Sequence, residues 1–93
     1  MSLVFEFDNA KSAGNKLKRG IDFVEAQALW ADDDLVVFYS NESFGEKRWA
    51  AIGKLLERNW TAIFTWRDGA IRLISVRRSR RNEENFYESK RTG

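Results

Sequence analysis

The sequence predicts an α+β fold, a four-to-five-stranded, mainly antiparallel sheet with two N-terminal helices on one face and a C-terminal helix. Three observations predict it. Apolar residues recur at period two in four runs between Leu35 and Arg78. The connections between those runs are short, with Asp68-Gly69 a two-residue hairpin signal between the last two. Segments with helical spacing flank the block on both sides. The 93 residues read as one domain, 1–93, because two cores would each fall below the size that folds without a disulfide or a metal.

Leu3 to Phe7 alternates and reads as a first short strand, after which Asp8 caps a helix from about Asn9 to Lys18. Ala10, Ala13 and Leu17 are its expected apolar face, and Gly20 stands where a left-handed C-cap belongs. Asp22 followed by Glu25 is a capping-box start, and Phe23, Ala26, Leu29 and Trp30 give the second helix its apolar side until Trp30 to Asp33. Strands follow at about Leu35 to Ser40, Lys47 to Leu55, Trp60 to Trp66 and Ala70 to Arg78, an antiparallel meander. Ser79 caps a last helix to about Lys90, with Phe86 and Tyr87 as core candidates. The helices are expected on one sheet face, with Phe23, Leu29, Ile63, Phe64 and Leu73 buried.

Composition removes several chemistries. The chain has no cysteine and no histidine, so thiolate and imidazole metal sites, Cys/His dyads and the Ser-His-Asp triad lack their residues. Asp32, Asp33 and Asp34 are the one acidic run, but adjacent carboxylates diverge and read as a polar loop rather than a chelate. No cofactor is expected. No apolar run reaches membrane-spanning length and no secretory leader is visible, so the chain reads as cytoplasmic. Net charge is +2, yet residues 67–93 carry eight Arg/Lys against four Asp/Glu while residues 1–66 carry eight against ten. That local basic field favours a polyanion, nucleic acid first, or an acidic protein partner.

The densest basic feature is Arg72, Ser75, Arg77, Arg78, Arg80 and Arg81, at the end of a strand and the start of a helix. Cations in a first helical turn oppose the macrodipole, so a bound phosphate is one explanation. A solvated run balanced by Glu83, Glu84 and Glu88 is the other. Trp60, Ala62, Phe64 and Trp66 share one strand face and read as core, while Trp49 and Trp66 stand beside Lys47, Arg48 and Arg67 as candidate stacking surfaces. Lys11, Asn15 and Lys18 fall on one exposed helix face.

Read in order, Phe5-Glu6-Phe7-Asp8, Lys11, Asn15, Lys18-Arg19-Gly20-Ile21, Phe23 and Ala26, then Glu46-x-Arg48 to Ile52-Gly53, then Arg72-x-Ile74-Ser75-x-Arg77 with Glu83 and Tyr87 resemble the BrnT family over nearly the whole chain. The resemblance implies a small RNA-cleaving toxin of a bacterial type II toxin–antitoxin pair, with a RelE-like fold. It also implies a cognate ribbon-helix-helix antitoxin that binds both DNA and toxin. RNA, ribosome-bound mRNA included, would be the substrate, and DNA would be met only through the antitoxin. Where the family usually reads Lys-His-Gly, this chain has Lys18-Arg19-Gly20.

Attack of a ribose 2′-hydroxyl on the adjacent phosphate needs a base, an acid and cations for the charge growing on phosphorus, and no metal. Glu83 or Lys18 is the candidate base and Tyr87 the candidate acid. Arg48, Arg72, Arg77 and Arg78 would hold phosphate, with Arg19 at the position of the lost histidine and Lys11, Arg80 and Arg81 as further phosphate contacts. Two alternatives stay open, a catalytically inactive RNA- or antitoxin-binding module of the same fold, and a purely regulatory partner of an antitoxin.

Overall fold

Short polar side chains open the helices as the sequence anticipates. The computed structural model describes residues 3–92, in the order β1 (Phe5–Glu6), α1 (Asn9–Arg19), α2 (Phe23–Ala26), β2 (Val36–Ser43), β3 (Glu46–Leu55), β4 (Arg58–Arg67), β5 (Ala70–Arg78) and α3 (Arg81–Thr92). Asp8 Oδ1 accepts from the Lys11 amide at 3.0 Å, and Gly20 closes α1 at φ 84° with its N–H on the Lys16 carbonyl. Asp22 and Glu25 complete a reciprocal capping box. The second helix lasts a single α turn and tightens into a 3-10 turn over Gln27–Ala31.

The sheet runs β1-β5-β4-β3-β2, with β1 parallel to β5 and the other pairings antiparallel. Asp68 and Gly69 take φ of 52° and 80°, the doubly left-handed turn that a tight hairpin requires. Pairing lengthens β2 to Ser43, past the expected end at Ser40, because a bulge at Ser40 carries the strand on beside β3. The first strand is shorter than Leu3 to Phe7, since pairing with β5 is confined to Phe5 and Glu6 plus a bond from the Ile71 amide to the Val4 carbonyl.

Two corrections concern the helices. Ala10, Ala13 and Leu17 are exposed, Leu17 by 90%, because α1 is fixed to the edge of β5 by polar bonds rather than by an apolar stripe. Asn15 Nδ2 donates to the Ile21 and Val76 carbonyls at 2.7 and 2.9 Å, and its Oδ1 accepts from the Val76 amide at 3.2 Å. The amide side chain thus replaces a neighbouring strand. The buried residue of α1 is Ser12, whose Oγ accepts from the Phe23 amide.

The helices also do not share one sheet face. Ile21, Phe23, Ala26 and Leu29 cluster with Ala51, Ala62, Phe64, Ile71, Leu73 and Val76, and a Cβ at Gly53 would lie 3.0 Å from Leu35 and 3.3 Å from Leu29. The neighbours of those strand residues, Ile52 and Thr61, point the other way and are fully buried, because α3 covers them. There Phe86 meets Phe38 edge-on at 5.6 Å. Burial on both faces explains why β4 reads apolar without strict alternation. Ser79, expected to cap α3, has its hydroxyl 2.8 Å from Thr61 Oγ1, and Glu83 Oε1 accepts from the Arg80 amide.

Asn15→Ala would strand the Val76 amide and two carbonyls, each lost partner costing about 1 kcal/mol or more. The expected outcome is a destabilisation of about 2–4 kcal/mol, read as a lower urea midpoint at unchanged slope.

Candidate functional site

The sheet face that α3 covers is only half roofed. The strand registers set Thr61 opposite Arg77, Ile63 opposite Ser75, Thr65 opposite Arg72, and Arg72 beside Glu6. Ile74 has no cross-strand partner, which makes it a bulge. Without that extra residue Arg72 and Ser75 would point to opposite faces; with it Arg72, Ser75 and Arg77 line one face. On β3, Arg48 shares this face with Ala50 and Ile52. Its Nε is buried and meets no hydrogen-bond partner among the described residues. Ile63, expected in the core, is half-buried because it forms part of this open floor.

At the roofed end Arg77 grips Glu83 with two bonds, Nη1 to Oε1 at 2.7 Å and Nη2 to Oε2 at 2.8 Å. Thr61 Oγ1 and the Arg80 amide also donate to Glu83 Oε1 at 3.1 and 2.8 Å. Burial alone would raise the pKa of Glu83, but the Arg77 fork and the Arg80 amide outweigh it and bring it down to about 2. The same carboxylate raises Arg77 against the opposing effect of burial. This pair occupies the place at the start of α3 where a phosphate was one expectation.

At the other margin α1 and β5 enclose a cleft of about 270 Å³ lined by Lys11, Asn15, Lys18, Arg19, Ile74 and Ser75. Ser75 belongs to both the cleft and the floor, so Lys11, Lys18 and Arg19 border the same strand, β5, that carries Arg72 and Arg77. Asn15 is consumed by its backbone bonds and does not present a solvated amide.

Other sequence candidates lie elsewhere. Arg78 points to the opposite face, with its guanidinium 5.6 Å from the Trp60 ring centre. Arg80 and Arg81 are exposed at the start of α3. Tyr87 is 1% exposed and donates to Asp32 Oδ2 at 2.6 Å, in surroundings that include Lys54 and Arg91 rather than Lys18 and Arg19. Burial, then the Asp32 bond, pushes the phenol well above its ordinary range. Asp32 also accepts from the Lys54 and Asp34 amides at 2.8 and 2.9 Å, and the bonds from Tyr87 and Lys54 hold its carboxyl low against burial. Trp60 and Phe64 are buried while Trp66 is 52% exposed, dividing the aromatic strand as expected. Sequence reasoning missed Glu6, which pairs with Arg72 at 3.5 Å; the alternation of Phe5, Glu6 and Phe7 was the signal, since it sends Glu6 away from the phenylalanines.

Glu83 is lowered from an ordinary 4.5 to about 2, so it contributes stability that is complete above about pH 5 and lost as pH falls toward 2, on the order of 3 kcal/mol. Urea unfolding at pH 7, 4 and 3 should show the gap between the natural chain and Glu83→Gln narrowing with acid. A pH-independent gap contradicts the linkage.

No curated protein matches the chain. The family model described as the ribonuclease toxin BrnT of type II toxin–antitoxin systems matches residues 7–83, a span that runs from the residue before the Asp8 cap through the α1 cleft and the sheet floor to Glu83. The chain therefore belongs to the BrnT family of ribonuclease toxins, whose partner is a protein antitoxin.

Proposed function

We propose that this chain is a metal-independent endoribonuclease of RelE-like architecture, cytoplasmic, that cuts RNA, ribosome-bound mRNA included. We propose also that a ribbon-helix-helix antitoxin restrains it and gives the pair its only contact with DNA. The observation that carries the catalytic reading is the open sheet floor, where Arg48 and Arg72 stand on one face and join the Lys11, Lys18 and Arg19 cleft through Ser75. Cleavage proceeds by attack of the ribose 2′-oxygen on the adjacent phosphorus with departure of the 5′-oxygen, giving a 2′,3′-cyclic phosphate and a 5′-hydroxyl. Arg48 and Arg72 neutralise the charge that grows on the phosphoryl oxygens, fixed donors that need no reorganisation during reaction. Lys18 and Arg19 serve the scissile phosphate from the cleft, Lys11, Arg80 and Arg81 contact flanking phosphates as a salt-sensitive field, and Arg78 adds to that field from the opposite face beside Trp60. Arg77 and Glu83 act as a bonded pair that anchors α3 and keeps Arg77 facing the floor. Tyr87 supports the same helix through Asp32.

Arg19 favours a second reading, an RNA- or antitoxin-binding module without turnover, because guanidinium does not release a proton near neutral pH. The two separate in one assay. In buffer with chelator, the purified chain should convert a single-stranded RNA into fragments with cyclic phosphate ends. Arg72→Ala should lower kcat/KM by about 10²- to 10³-fold. Arg19→His should raise the rate and add a pH dependence near about 6.5 if the position serves proton transfer. If both the natural chain and Arg19→His bind RNA without cutting it, the binding module is correct.

A further inference from the structure

The cleavage reading leaves one role unassigned, the group that takes the proton from the attacking 2′-hydroxyl. Strand parity puts Glu46 and Glu6 on the floor face, and Glu83 reaches it from α3. Glu83 is held by the Arg77 fork, the Arg80 amide and Thr61, so a proton arriving there would break a built structure. Glu46 Oε2 accepts from Arg67 Nε and Nη2 at 3.1 and 2.8 Å, which leaves it engaged by one guanidinium. Glu6 differs from both. Its ion-pair contact among the described residues is a single 3.5 Å approach to Arg72 Nη1, and its side chain is 39% exposed.

We propose that Glu6 is the general base of the RNA-cleaving reaction, set beside the phosphate-binding Arg72. The assignment rests on the ribonuclease reading above and goes one step past it. Glu6 lies just outside the span matched by the family model, which begins at residue 7. The backbone fixes its placement: β1 pairs in parallel with β5 so that Glu6 and Arg72 are register partners, and the Ile71 amide holds the Val4 carbonyl at 2.8 Å. On the far side of Arg72, Thr65 is its cross-strand partner and is anchored by a hydroxyl bond to the Lys47 carbonyl at 2.8 Å. Glu6 and Arg72 are thus presented side by side by a sheet rather than by a loop.

That arrangement matches the substrate. The 2′-hydroxyl and the phosphate it attacks belong to neighbouring atoms of one nucleotide, so an adjacent carboxylate and guanidinium engage both without moving. Arg72 takes the phosphoryl oxygens, and Glu6 accepts the 2′-hydroxyl hydrogen. In the step, the O2′–H bond breaks and its proton passes to the Glu6 carboxylate. The O2′–P bond forms, the P–O5′ bond breaks, and the leaving 5′-oxygen takes a proton from water. Glu6 then returns its proton to solvent. The charged groups around Glu6 are Arg72 on β5 and Arg67 on β4, the latter itself paired to Glu46.

The test uses the full chain and a single-stranded RNA oligonucleotide containing all four bases, with its all-2′-deoxy counterpart as an uncleavable binding probe. Glu6→Gln keeps the shape and the short β1 pairing. It is expected to lower kcat by at least about 10²-fold and to change the Kd of the deoxy probe by less than about threefold. Glu6→Asp, which retains a carboxylate one methylene further back, is expected to keep more of the rate than Glu6→Gln. A Glu6→Gln rate within about threefold of the natural chain overturns the proposal, as does a loss found in Glu46→Gln instead, or a loss of probe affinity equal to the loss of rate. Each of these leaves the ribonuclease reading standing. A natural chain that cuts no RNA overturns both.

Discussion

The Arg77–Glu83 ion pair is the constraint around which the second layer of this protein is arranged. It joins the last turn of the sheet to the first turn of α3 through two short, parallel bonds, with side chains only 19% and 11% exposed. A partly buried pair of this kind gives little net stability over an apolar replacement, but breaking one half leaves a desolvated charge. Its value lies in specificity of placement. By fixing where α3 starts, it decides that the helix covers Ile52 and Thr61 and stops short of Arg48, Ile63 and Arg72, which stay partly exposed. The open floor is the area that α3 leaves uncovered.

The strands and helix starts were legible because their signals are local. Asp68-Gly69 demands a left-handed pair of residues, Asp8 and Asp22 supply acceptors for bare amides, and β5 begins and ends where the alternation does. The side of the sheet that α3 would choose was not legible, since β4 buries both faces and offers no preference. Leu17 misled for a related reason. An apolar residue at helical spacing suggests a core, yet the α1 interface is built from Asn15 and Ser12, and no periodicity announces a side-chain amide that replaces a strand.

The site shows a similar division. The basic residues between Arg72 and Arg81 were visible as a group because they are close in sequence, whereas strand alternation separates neighbours. Arg77 and Arg78 are adjacent and face opposite layers, one bonded to Glu83 and one over Trp60. The bulge at Ile74 works in the other direction by bringing Arg72 and Ser75 to one face, and a single unpaired strand residue leaves no compositional mark. Asp32 reads in the sequence as part of a polar loop, yet it receives three donors, from Asp34, Lys54 and Tyr87. The signal for it is Tyr87, a buried phenol that must find an acceptor.

Arg19 is instructive because the structure separates its mechanical and chemical effects. The residue closes α1 beside Lys16 and Lys18, just before the left-handed Gly20. A last helical turn favours any cation through the macrodipole and through its unpaired carbonyls, and arginine is a permanent one. An arginine where the resemblance leads one to expect histidine therefore leaves the helix end at least as well stabilised and keeps positive charge in the cleft with Lys11 and Ser75. What changes is proton transfer, since imidazole gives and takes a proton near neutral pH and guanidinium does not. Binding of an anionic backbone is thus compatible with either residue. In the proposed reaction, moving a proton falls to the carboxylates of the sheet floor, where the loosely paired Glu6 stands apart from Glu46 and Glu83.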